Sequence, residues 1–117
     1  MESLEETWKK YLNSADKLYN EGDYGSSAVL YIKAIFLIID NFLYSKFNLE
    51  VKDHKERELY LISKKDMDPT CKRILEIYNI VYKSHRETYK RELNQSEVMI
   101  IKSLAYELKK LIKLSKK

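Results

Sequence analysis

The sequence predicts an all-α fold, an up-and-down antiparallel four-helix bundle with one additional short helix, built as a single domain over residues 1–117. Three observations predict it. Leu, Lys, Glu, Ile and Tyr dominate, and the 117 residues include only two glycines and one proline to punctuate them. Apolar side chains recur at helical spacing along most of the chain. Between Ala28 and Ile39 the only charge is Lys33, so a helix there is apolar on almost every side and has to be surrounded.

The first helix opens on Ser3-Leu4-Glu5-Glu6, a capping box in which Ser3 is the N-cap and Glu6 reaches back to its amide. Leu4, Trp8, Tyr11, Leu12, Ala15, Leu18 and Tyr19 then form one apolar stripe. Gly22 ends this helix and Asp23 caps the next, which runs to about Phe47. A turn this short makes the first two helices antiparallel neighbours. The second helix also raises the question of a membrane span. Its uncharged run, Ala34–Ile39, lies between Lys33 and Asp40, well short of the ~20 apolar residues a bilayer requires. A buried helix of a cytoplasmic protein is the expectation.

Residues 48–53 read as a polar loop, and Asp53-His54-Lys55-Glu56 as a capping box opening a short third helix. Leu59, Leu61 and Ile62 are its expected buried side chains. Asp66-Met67-Asp68-Pro69 is the clearest break, with Asp68 as cap and Pro69 in the first helical position. A long helix follows, with Ile74, Ile77, Tyr78, Val81, His85 and Tyr89 near one face. Asn94-Gln95-Ser96-Glu97 caps the last helix, whose inward residues are Val98, Ile101, Leu104, Ala105, Leu108, Leu111 and Ile112. Beyond Leu114 the residues Ser115, Lys116 and Lys117 are expected to fray.

Composition narrows the function classes. The single cysteine, Cys71, excludes an intrachain disulfide and a multi-cysteine zinc site, and suits a reducing compartment. Its place in the first turn after Pro69 suggests a thiol pKa lowered by the helix N-terminus, yet no acid–base partner lies near it in sequence. The acidic start, Met1-Glu2-Ser3-Leu4-Glu5-Glu6, is unlike a signal peptide. Abundant Lys, Glu and Ile with Gln95 as the only glutamine is a thermophile-like composition. Charge is unevenly spread. Residues 1–60 carry 8 basic and 11 acidic side chains, whereas residues 61–117 carry 14 and 7. The basic half suits nucleic acid or an acidic partner; a solvated lysine-rich tail accounts for it as well.

Within that half, Lys83, Arg86, Lys90 and Arg91 are the candidate phosphate contacts, because the spacing brings 83, 86 and 90 onto one helix face. A solvated face with Glu87 and Glu92 as local partners explains the same run. Tyr82, Tyr89 and Tyr106 stand among basic residues, as base-stacking side chains do, and tyrosines also fill helix seams. Lys102, Lys109, Lys110, Lys113, Lys116 and Lys117 make the last helix basic. His85 reads as a packed structural side chain and His54 as support for the third helix's cap. Two isolated histidines predict no metal site, and no cofactor is implied. A phosphate loop, a nucleophile elbow and a paired-carboxylate motif are all missing from the sequence.

Ala15, Gly22, Tyr24, Ser27, Tyr31 and Ala34 resemble one helix pair of a tetratricopeptide repeat, a local pattern shared with MIT domains. No second copy follows at the family's period, so a repeat array is not expected. Across nearly the whole chain the sequence resembles the HEPN superfamily of prokaryotic helical bundles, including archaeal PaREP-like proteins. The likeness is carried by Gly22-Asp23-Tyr24, the apolar Ala28–Phe47 helix, His54 ahead of Leu59, and Tyr82-Lys83-Ser84-His85-Arg86-Glu87-Thr88-Tyr89.

Active members of that superfamily are metal-independent ribonucleases in which histidine follows arginine by four to six residues. Arg holds the scissile phosphate and His moves a proton. Here Arg86 matches the arginine, but no imidazole stands at the later position, because the corresponding residues include Arg91 and Glu92. The resemblance therefore implies a non-catalytic bundle that binds RNA, a nucleotide or a partner protein. It also implies a homodimer and, where the ligand is a protein rather than a nucleic acid, a nucleotidyltransferase-type antitoxin in a toxin–antitoxin system. The alternatives it leaves are a ribonuclease toxin with an atypical site around Arg86, and an adaptor using a groove between helices one and two.

Overall fold

A computed structural model describes residues 3–115 and is all-helical, with no strand among the described residues. Lys116 and Lys117 of the expected basic end lie outside them. Five helices follow in order: α1 (Leu4–Asn20), α2 (Tyr24–Phe47), α3 (His54–Lys64), α4 (Pro69–Glu87) and α5 (Gln95–Ser115).

Their boundaries follow from capping chemistry. The side chains of Ser3, Asp23, Asp53 and Asp68 each accept a hydrogen bond from an amide of the first turn of α1 to α4. At α5 the box is reciprocal, since Asn94 accepts from the Glu97 amide while Glu97 accepts from the Asn94 amide, both at 3.0 Å. Gly22 has φ +86°, a left-handed value that glycine adopts without steric cost, and so α1 reverses into α2. The end of α2 uses Asn48 in the same region, at φ 56°, with the Leu49 amide closing onto the Leu43 carbonyl at 3.2 Å.

Helix α2 is the centre of the core and packs against all four other helices. Ala15, Ser27, Ala28 and Ala34 are fully buried, and small side chains of this kind let α1 and α2 approach closely. The Ser27 hydroxyl donates to the Ala15 carbonyl at 2.8 Å, so no polar group is stranded in that contact. A second polar tie joins three helices. The Asp16 carboxylate of α1 accepts from the hydroxyls of Tyr31 in α2 and Tyr106 in α5, with Lys102 at 3.9 Å. Burial and that carboxylate push the Tyr106 hydroxyl up to about 12.

By length and average composition α2 is long and apolar enough to cross a bilayer, contrary to the shorter run counted from its charges. Most of the apolar stretch is buried inside the molecule, as a core helix requires. Helix α3 departs further from expectation. Leu59 and Ile62 are exposed, and Leu61 is buried together with Arg57. Residues 54, 57 and 61 share one side of a helix, and that side turns inward because Arg57 has a partly buried carboxylate, Asp40, to meet.

Candidate functional site

The apolar helix α2 carries one acid deep in its length, Asp40, and a carboxylate there needs a cation. Arg57, one turn into α3, supplies it. The guanidinium Nε donates to Asp40 Oδ1 at 2.6 Å and Nη2 to Oδ2 at 2.8 Å, a bidentate pair with Arg57 only 7% exposed. Its remaining nitrogen, Nη1, lies 2.7 Å from Nδ1 of His54. Arginine has no acceptor, so His54 Nδ1 must accept, and the neutral ring carries its proton on Nε2. Burial would lower the Arg57 pKa, but the hydrogen bonds and charge of Asp40 outweigh it and raise the value.

Helix α4 brings the second histidine. Tyr78, Tyr82 and His85 recur at spacings of four and three, which places them on one face. The ring of His85 lies 5.3 Å from that of His54, centroid to centroid, and 5.4 Å from Phe36 of α2 in an edge-to-face contact. His54 itself packs edge-on against Phe36 at 4.8 Å and Tyr82 at 5.1 Å. The Tyr78 hydroxyl donates to the His54 carbonyl at 3.2 Å. The two histidines are therefore not isolated, as the sequence had suggested, but the paired centre of an aromatic cluster.

Both imidazoles are held below the ordinary histidine range. For His54 the causes are burial, then the charge of Arg57, then His85; for His85 they are burial and Arg57. The fixed guanidinium charge beside the rings disfavours a metal cation, and among the described residues no three His, Cys, Asp or Glu side chains converge to hold one. With all its nitrogens engaged, Arg57 orients the cluster rather than offering a free fork to a phosphate.

On its outer side the cluster opens. A cleft of about 210 Å³ is walled by Val29, Lys33 and Phe36 from α2 and by His85, Thr88 and Tyr89 from the end of α4 and the turn after it. Tyr89 is expected on the helix face, yet α4 stops at Glu87, and Tyr89, 79% exposed, borders the cleft. It makes an edge contact with His85 at 5.1 Å, its hydroxyl 3.4 Å from Nε2. A second cavity shares Val29 and Thr88 with the first and adds Ser26, Arg91 and Glu92. Glu92 can reach α2 there because residue 25 is glycine; a Cβ at Gly25 would lie 3.0 Å from the Glu92 carboxyl carbon.

The four basic candidates are not equivalent. Lys83 and Arg86 are exposed on α4, and no ion pair engages either within the described residues. Lys90 is 4.0 Å from Glu87. Arg91 is a structural tie, donating to Glu97 at 2.9 and 2.6 Å and to Glu87 at 3.2 Å. That contact drives the Glu97 carboxyl down to about 2 and raises the Arg91 guanidinium. Its main partners are thus Glu97 and Glu87 rather than Glu92. Cys71 also departs from expectation. The thiol is fully buried, and burial together with the neighbouring Asp68 raises it to about 11, overriding the helix N-terminus.

The Asp40–Arg57 pair and the meeting of His54 with His85 were missed by sequence reasoning, although a signal existed. A lone acid in an apolar helix calls for a buried cation, and Arg57 is the nearest arginine downstream. No protein-family model matches this chain, and neither a curated protein nor a solved structure shows significant similarity to it.

Proposed function

We propose that this chain is a helical-bundle binding protein that takes up nucleic acid, RNA in particular, at the outer end of α4. The observation that carries this reading is an apolar cleft walled by aromatic side chains and Lys33, at the end of a helix that carries exposed cations. His85 and Tyr89 border an open apolar cleft, and the residues that follow each of them, Arg86 and Lys90, are exposed cations. Aromatic faces beside basic side chains combine stacking with electrostatic attraction to a phosphate backbone. Binding rather than cleavage fits the chemistry of the arginines. Arg57 and Arg91 are held by carboxylates, and Arg86 has no imidazole after it at the ribonuclease spacing.

The test is RNA affinity as a function of salt. Purified protein should bind RNA more weakly as salt rises. Each lost phosphate contact on a single strand should lower the slope of log affinity against log salt by about 0.7. Replacing Lys83 and Arg86 together by alanine should therefore flatten the slope by about twice that amount. Absent or salt-independent binding sinks the reading. A second reading, docking of a protein partner, is favoured by the second cavity, whose rim carries both Arg91 and Glu92. A mixed-sign rim suits a polypeptide better than a polyanion.

A further inference from the structure

We infer that the cleft between α2 and the end of α4 is a subsite for one unpaired nucleobase, so that the protein selects single-stranded over duplex RNA. This rests on the nucleic-acid reading and adds to it the part of the ligand that is recognised.

The cleft has the size and the lining that a single ring needs. Its volume of about 210 Å³ falls below the ~300–1,000 Å³ of sites that engulf a whole small molecule, and matches a single planar group. Phe36 lies in the wall, fixed by its edge-to-face contacts with both histidines. Val29 and Tyr89 are exposed large apolar side chains bordering this same opening. A solvent-facing tyrosine beside an apolar hollow is arranged to cover a flat ring that enters it.

The polar groups suit a base more than a plain hydrocarbon. A neutral His85 presents one donor and one acceptor nitrogen, and the Tyr89 hydroxyl lies 3.4 Å from Nε2, a long contact that a ligand amide or ring nitrogen can replace. Lys33 on the wall, with Arg86 and Lys90 after the two cleft residues in sequence, gives the flanking phosphates their counter-charge. A base stacked within a duplex cannot reach such a slot, whereas an unpaired one can.

The experiment compares a short fluorescently labelled single-stranded RNA with the duplex it forms with its complement, using the full chain. Tyr89→Ala should weaken single-strand binding by about tenfold or more and leave duplex binding unchanged. Tyr89→Phe should keep most of the affinity. Val29→Trp, which fills the slot from an exposed position, should reproduce the Tyr89→Ala loss, and unchanged melting temperatures will show that the variants fold. If single strand and duplex bind alike and Tyr89→Ala and Val29→Trp change nothing, the base subsite is wrong while the salt-dependent electrostatic reading stands. If no form of RNA binds the wild type at low salt, both fail together.

Discussion

Arg57 shows how a single side chain can organise a site without reaching the solvent. Its guanidinium joins three helices' worth of polar chemistry: Asp40 in α2, His54 in α3 and, through the imidazole pair, His85 in α4. Removing one partner of a buried ion pair leaves the other charge uncompensated, at a cost of about 3–5 kcal/mol, whereas replacing both by apolar groups is often neutral. Arg57→Met should therefore destabilise the fold by about that amount, and Arg57→Met combined with Asp40→Leu should recover most of it in chemical denaturation. A single variant as stable as wild type would refute the pair's role. The histidines add a pH dependence of definite sign. Their folded-state pKa values lie below the ordinary 6.5, so the folded protein binds fewer protons than the unfolded chain just below that pH. Stability is fully present above about pH 6.5 and is lost as pH falls through it toward the folded values. The groups facing the pair are Asp40, Asp53 and Arg57 with the rings of Tyr78, Tyr82 and Tyr89, and burial plus Arg57 outweighs the two carboxylates. Thermal melts between pH 7 and 5 should show the fall, and a His54→Gln, His85→Gln double variant should flatten it.

At the scale of elements, the turns and caps are where local chemistry decides structure. Gly22 holds φ +86° with open space around its α-carbon, so the penalty for a side chain there is conformational rather than steric. Gly22→Ala should cost about 1–2 kcal/mol from the left-handed backbone alone, read as a lowered denaturation midpoint with unchanged helix content; no loss would mean that the turn relaxes to another geometry. The same locality explains what could be read from sequence. Ser3, Asp23, Asp53, Asp68 and Asn94 were legible as caps because each acts on amides two or three residues away. The inward side of α3 was not legible from propensity. Leu59 and Ile62 look like core residues, but the helix rotates to bring Arg57 to Asp40, a contact 17 positions away that periodicity within α3 cannot reveal. Likewise the helical pattern carried Tyr89 onto α4. The helix ends at Glu87 instead, as Arg91 turns to meet Glu97.

For the whole molecule, the consequence of a central helix apolar on nearly every side is cooperativity. Helix α2 is the common wall of the α1 contact on one side and the α4 and α5 contacts on the others, with Tyr31, Ile35, Ile38 and Ile39 fully buried among them. Detaching α1 would expose the small-residue seam of Ala15, Ser27 and Ala28 and would strand the Tyr31 hydroxyl, whose acceptor Asp16 belongs to α1. Detaching the α3–α4 pair would break the part-buried Asp40–Arg57 bridge. Neither half keeps a closed core, so partial unfolding is costly from either direction, and one transition is expected for a domain of this size. The chain carries a built-in reporter for this. Trp8, the single tryptophan, lies in α1 and is 4% exposed, whereas circular dichroism weighs all five helices. Urea unfolding followed by Trp8 fluorescence and by helical dichroism should give coincident midpoints and slopes. A fluorescence transition at lower urea than the loss of helix would show that α1 leaves first, and that the remaining four helices hold a core without it.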